Sequence, residues 1–89
     1  MAFGTAVRDR REELGRTLSE VSVEIGISIA YLSRIERDRE NPPRDELIGR
    51  IACAIRMPVD EAFAAAQRLP PDLQGRVGDV IAAYRRQSR

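Results

Sequence analysis

The segment Ser28–Arg37, SIAYLSRIER, carries the side chains best suited to recognition chemistry. Wound at ~100° per residue, Tyr31, Leu32 and Ile35 fall on one side of a helix, and Ile29, Ala30, Ser33, Arg34 and Arg37 on the other. The wet face of an amphipathic helix ordinarily mixes both charge signs. Here it shows two arginines and no acid, with Glu36 at its edge. A guanidinium at Arg34 can pair in bidentate fashion with a guanine edge, a contact worth ~1–3 kcal/mol of discrimination, and Ile29 and Ala30 can meet a thymine methyl. Ala30 and Ser33 are small enough to let a helix approach base edges closely. The chemistry is therefore non-covalent reading of a DNA major groove. An ordinary solvated face is the alternative for Arg34 and Arg37. Tyr31 is read as an edge-of-core residue rather than a base-stacking one.

The elements that must position this face follow from local signals. Thr17 and Glu20 form a capping box at the start of a helix whose inner stripe is Leu18, Val21, Ser22 and Ile25. Gly26 ends it, and Ser28 caps the next, so two short helices meet at a glycine turn. Their positive N-terminal ends, near Thr17 and Ser28, suit phosphates. Ser22 is expected to bond back to a carbonyl one turn earlier. Before this pair, a helix from Phe3 to Leu14 stops at Gly15, with Phe3, Val7 and Leu14 on one face and Arg10 and Arg11 on its flanks. After it, Asn41-Pro42-Pro43 is a break. A fourth helix over Asp45–Ile55 buries Leu47, Ile48, Ile51 and Ile55, and Pro58 opens a fifth with Val59, Phe63 and the run Ala64–Ala66. Leu69-Pro70-Pro71-Asp72 breaks the chain again, and a last helix places Leu73, Val77, Val80, Ile81 and Tyr84 on one stripe.

Five or six helices and no strand candidate of any strength make the class all-α. The chain divides into a DNA-binding part, 1–68, and a C-terminal helical segment, 69–89. At 89 residues it can build one core, and with two Phe, two Tyr and no Trp that core is aliphatic. Net charge is +1, but every one of the 15 basic residues is Arg, the better fork for phosphates and guanine edges. One Cys and no His leave no internal disulfide, no ordinary zinc site and no cofactor expectation. With no glycine-rich phosphate loop and no spaced carboxylate pair either, nothing carries enzymatic chemistry. No apolar run approaches the ~20 residues of a membrane span, and the start MAFGTAVRDR lacks the order of a signal peptide. A cytoplasmic location is expected.

Taken together, Gly15-Arg16-Thr17, Glu20-Val21, Gly26-Ile27-Ser28, the run Tyr31-Leu32-Ser33-Arg34-Ile35-Glu36-Arg37 and Asn41-Pro42 resemble the XRE-type helix-turn-helix family of Cro- and lambda-repressor-like regulators. The likeness covers Val7 to Phe63. It implies a compact five-helix domain that sits on double-stranded operator DNA as a dimer. It also implies base contacts from Ile29, Ala30, Ser33 and Arg34, and phosphate contacts from Thr17, Ser28, Arg37 and Asn41. The family pairing of a first-helix arginine with a glutamate near the end of the third helix falls on Arg11 and Glu36, an exposed pair being the alternative. Four positions depart from the pattern. Leu18 stands where many members carry a phosphate-touching glutamine, so that contact is expected to be absent. Arg10 replaces an aliphatic core residue and is expected to snorkel or to pair with an acid. Asp38 and Arg56 replace glycines after the third and fourth helices, and Asp tolerates the left-handed region better than most residues.

The C-terminal stripe of Leu73, Val77, Val80, Ile81 and Tyr84 is too apolar to leave in water and is expected to form a two-fold interface. Folding back on its own core is the alternative. Gly49 and Cys53, one turn apart on the outer face of the fourth helix, either admit another helix or face solvent, and Cys53 is read as structural. These features point to a sequence-specific DNA-binding transcriptional regulator, a dimeric repressor at a palindromic operator. The alternative is an antitoxin or co-regulator that grips a partner protein through its last helix.

Overall fold

The computed structural model of the protein describes residues 2–87. They form α1 (Phe3–Glu13), α2 (Leu18–Ile25), α3 (Ile29–Glu36), α4 (Asp45–Ala54), α5 (Val59–Ala65), α6 (Pro71–Gln74) and α7 (Val77–Gln87), with no strand among the described residues. The all-α class holds, as a five-helix lambda-repressor-like body followed by C-terminal helix.

The helix ends follow local chemistry. At α2, Thr17 Oγ1 accepts from Glu20 N at 3.0 Å and Thr17 N donates to Glu20 Oε1 at 3.1 Å, completing the capping box. The helix stops at Gly26, whose φ of 76° is open to glycine and strained for most other residues. Ser28 Oγ then accepts from Tyr31 N at 3.0 Å and starts α3. Ser22 Oγ donates to the Ser19 carbonyl at 3.0 Å, the back-bond expected of it.

Asp38 and Arg56 do enter the left-handed region, with φ of 57° and 54°, and each is compensated. The Asp38 carboxylate accepts from Gly4 N at 2.9 Å and from Thr5 Oγ1 at 3.0 Å, so it caps the first turn of α1. Gly4 lies so close under the end of α3 that a Cβ there would collide with the Ile35 carbonyl oxygen. Beside Arg56, Arg10 donates to the carbonyls of Ile55 and Arg56, both at 3.1 Å, and Arg16 donates to Ala54 O at 2.8 Å. Two guanidiniums therefore close the C-terminus of α4, where bare carbonyls and the helix dipole favour cations. Arg10 also pairs with Glu13, as an acid-paired arginine at that position should.

The core forms where these helices converge. Phe3 and Val7 of α1, Val21 and Ile25 of α2, and Leu32 and Ile35 of α3 meet Leu47, Ile48 and Ile51 of α4, Ile55 and Phe63, all buried. These are the stripes read from periodicity, except that Val59 remains half exposed. Arg68, after α5, reaches back to the carbonyls of Pro42 and Pro43 and to Asp45 Oδ1. It fastens the loop that leaves α3.

The C-terminal region differs from expectation in the continuity of its helix. The last helix is not continuous from Leu73: α6 is a single turn, Gly75 and Arg76 form a bend, and α7 begins at Val77. Glycine weakens a helix interior by roughly 1 kcal/mol relative to alanine. Gln74 Nε2, donating to Leu69 O and to Asp45 Oδ2, holds the short turn against the body. Leu73 thus stands on α6, one element before the stripe of Val77, Val80, Ile81 and Tyr84 on α7. Nor does α7 fold back to complete the core, since none of its residues is buried. At α4, a Cβ built on Gly49 would meet nothing within 4 Å and Cys53 is exposed, so that face admits no helix among the described residues.

Candidate nucleic-acid interface

α3 turns its apolar side inward and its arginine side out. Leu32, Ile35 and Glu36 are buried, and Tyr31 and Ser33 are half buried. Ile29, Ala30, Arg34 and Arg37 are exposed, Ile29 at 48%. The four residues expected to read bases, Ile29, Ala30, Ser33 and Arg34, thus line one outward strip. Ser33 is its innermost member.

The orientation of that strip is set from behind. Arg11 on α1 donates Nε to Glu36 Oε2 at 2.7 Å and Nη2 to Glu36 Oε1 at 2.9 Å, a bidentate pair. Its Nη1 donates to the Arg16 carbonyl at 2.7 Å. The side chains are only 11% and 3% exposed, so the reading of this pair as a surface contact is excluded. The hydrogen bond to Glu36 raises the Arg11 pKa further, against burial, and the guanidinium stays charged. Arg50 Nη1 caps the end of α2 at Ile25 O (3.0 Å). The two helices that must move as one are thus tied to α1 and α4 independently of the glycine turn between them.

The residues expected at phosphates lie at the margins. Thr17 and Ser28 stand at the N-termini of α2 and α3, each hydroxyl oxygen accepting a cap bond, which leaves its hydrogen to donate outward. Glu20 accepts the Thr17 amide N–H, and that bond holds the Glu20 carboxyl below the usual carboxylate range. Arg37 ends α3, its Nε only 3.4 Å from Ser33 O, a weak tether. Asn41 is exposed in the loop between α3 and α4. Leu18, where a glutamine is common, is half buried against the core and offers no phosphate donor.

Two arginines of this region escaped the sequence reading. Arg39 and Arg44 are exposed beside Asn41 and make no ion pair among the described residues. The signal was hidden because acids alternate with them. Glu36 is consumed by Arg11, Asp38 by the N-terminus of α1, and Glu40 by Arg34 at 2.8 Å. Among the described residues Arg37, Arg39 and Arg44 therefore have no acid paired with them, a cationic margin suited to a polyanion.

A family model described as Helix-turn-helix matches residues 7–61. The transcriptional regulator ClgR of Mycobacterium tuberculosis is 43% identical over 56 residues, which is 63% of this chain and 49% of that protein. This chain thus spans about half the length of the curated relatives it matches. The crystal structure of the clp gene regulator ClgR from C. glutamicum superposes with a TM-score of 0.64 at 31% identity, covering 73% of this chain and 83% of that one. SinR, a master regulator for biofilm formation solved in complex with DNA, gives 0.63 at 26% identity, over 68% of this chain and 97% of that one. These relatives are regulators rather than enzymes, and among the described residues no helix is long and apolar enough to cross a membrane.

Proposed function

This chain belongs to the helix-turn-helix family, and from that premise we propose that it is a sequence-specific DNA-binding transcriptional regulator, a cytoplasmic dimeric repressor acting at a palindromic operator. The observation that carries the proposal is the outward strip of α3, small and guanidinium-bearing, held by a buried ion pair behind it. Arg34 reads a guanine, Ile29 and Ala30 meet thymine methyls, and Ser33 permits close approach. Thr17, Ser28, Arg37 and Asn41, with Arg39 and Arg44, engage phosphates and fix the register. Seated on its operator, the protein blocks polymerase.

Dimerisation is assigned to α7, through Val77, Val80, Ile81 and Tyr84, with Leu73 contributing from α6. In support, Val77 and Ile81 are 48% and 47% exposed. A helix of 11 residues with none buried is shorter than the ~12–15 residues at which an isolated helix becomes even marginal in water. It gains stability by covering that stripe. A two-fold mate does so while placing two copies of α3 about 34 Å apart, one turn of DNA.

Selection of bound duplexes from a random pool tests the proposal. The expected result is an enriched motif with two-fold symmetry and a guanine in each half-site. A single asymmetric half-site would remove the dimer and direct α7 toward a partner protein. A pool with no enriched motif would remove sequence-specific binding altogether.

A further inference from the structure

Building on the DNA-reading role proposed for α3, we infer that Glu40 positions Arg34 for base readout and so sets specificity. Arg34 Nε donates to Glu40 Oε1 at 2.8 Å, and its Cζ lies 5.7 Å from the centroid of the Tyr31 ring. Tyr31 precedes it by one turn on α3, whereas Glu40 arrives from the loop beyond the helix. Helix geometry therefore does not impose the ion pair; the loop presents it.

That loop is fixed at both ends. Asp38 is held by Gly4 N and Thr5 Oγ1, and Arg68 binds the carbonyls of Pro42 and Pro43, with Pro43 buried. A carboxylate on a fixed backbone and an aromatic face together confine the Arg34 guanidinium, whose free rotamers would otherwise have to be lost on binding. Because Nε is the bonded nitrogen, the Nη1–Nη2 end remains open, and those donors match the O6 and N7 acceptors of guanine. The side chains are still 46% and 40% exposed, so the fork is reachable.

The same pair penalises wrong duplexes. While Arg34 stays in place, Glu40 is neutralised beside the DNA. When Arg34 is drawn aside to a phosphate, a bare carboxylate faces the polyanion, and like charges repel. Glu40 thus favours guanine-bound Arg34 over indiscriminate phosphate contact, which is specificity by repulsion as well as attraction.

The test compares wild type, Glu40→Gln, Arg34→Ala and the double variant. Each is measured on the selected operator, on operators changed at single positions, and on random DNA, at one salt concentration. The base whose preference vanishes in Arg34→Ala identifies the contact. Glu40→Gln is expected to reduce preference at that base roughly two- to five-fold, to leave other positions unchanged, and to tighten binding to random DNA. Thermal unfolding should not move, and in the Arg34→Ala background the substitution should have no further effect on base preference. An equal change on every duplex in both backgrounds overturns the inference, as does sharper preference at that base, which would make the pair a brake. Absence of any selected operator defeats the DNA-reading role and this inference with it, whereas a normal operator with unaltered preference defeats the inference alone.

Discussion

Arg11 spends three hydrogen bonds inside the protein, two on Glu36 and one on the Arg16 carbonyl. Breaking such a buried pair by removing one partner strands the other charge and typically costs ~3–5 kcal/mol, while replacing both with apolar groups is often neutral. Glu36→Ala is therefore expected to lower the urea midpoint severely, since small domains hold only ~5–15 kcal/mol in total. Arg11→Met with Glu36→Leu should recover much of that loss, though not all, because the Arg16 carbonyl keeps no donor. Equal destabilisation by the single and double variants would show that the pair does not act as a unit. This pairing was legible through the family resemblance. The capping roles of Arg10, Arg16, Arg50 and Arg68 were not, because their acceptors lie 25 to 46 residues away in the chain. A carbonyl has no sequence signature, and an arginine that seeks one looks like any surface arginine. Glu40 was missed for a related reason: its partner sits across a helix end rather than one turn away.

At the scale of elements, the stripes of α1 to α5 were readable because burial of one face imposes a 3.6-residue period on the apolar residues. The caps at Thr17, Gly26 and Ser28 were readable because their partners are local. Gly4 was not, since the atom that excludes a side chain there belongs to Ile35 on another helix. The bend at Gly75 was passed over because Leu73 and Val77 are spaced as on one helix, and period alone cannot show that a turn is held elsewhere by Gln74. The α7 stripe yields a prediction at this scale. Val77→Glu with Ile81→Glu should leave thermal unfolding of the five-helix body almost unchanged, because Val77 and Ile81 are about half exposed and surface substitutions move stability within about 0.5 kcal/mol. Sedimentation should nevertheless shift from dimer to monomer. A folded variant that still sediments as a dimer would remove α7 from the interface.

Over the whole molecule, a net charge of +1 conceals an asymmetry. The acids Asp38 and Glu40 between α3 and α4 each have a partner within the protein, whereas Arg37, Arg39 and Arg44 have no acid paired with them among the described residues. In the proposed function, the cationic margin surrounds a strip that discriminates, and the two should separate experimentally. Phosphate contacts release counterions, so their loss weakens binding to every sequence and flattens its salt dependence. Base contacts carry preference.

The most direct measurement is the affinity of wild type, Arg34→Ala and Arg37→Ala for the selected operator and for random DNA across a salt series. Arg34→Ala is expected to lose ~1–3 kcal/mol of preference at one base position, with a smaller loss on random DNA from the Glu40 carboxylate that it uncovers. Arg37→Ala should weaken both by the same factor and lower the salt slope by about one. If the two variants instead behave alike on operator and random DNA, α3 does not read bases through this face.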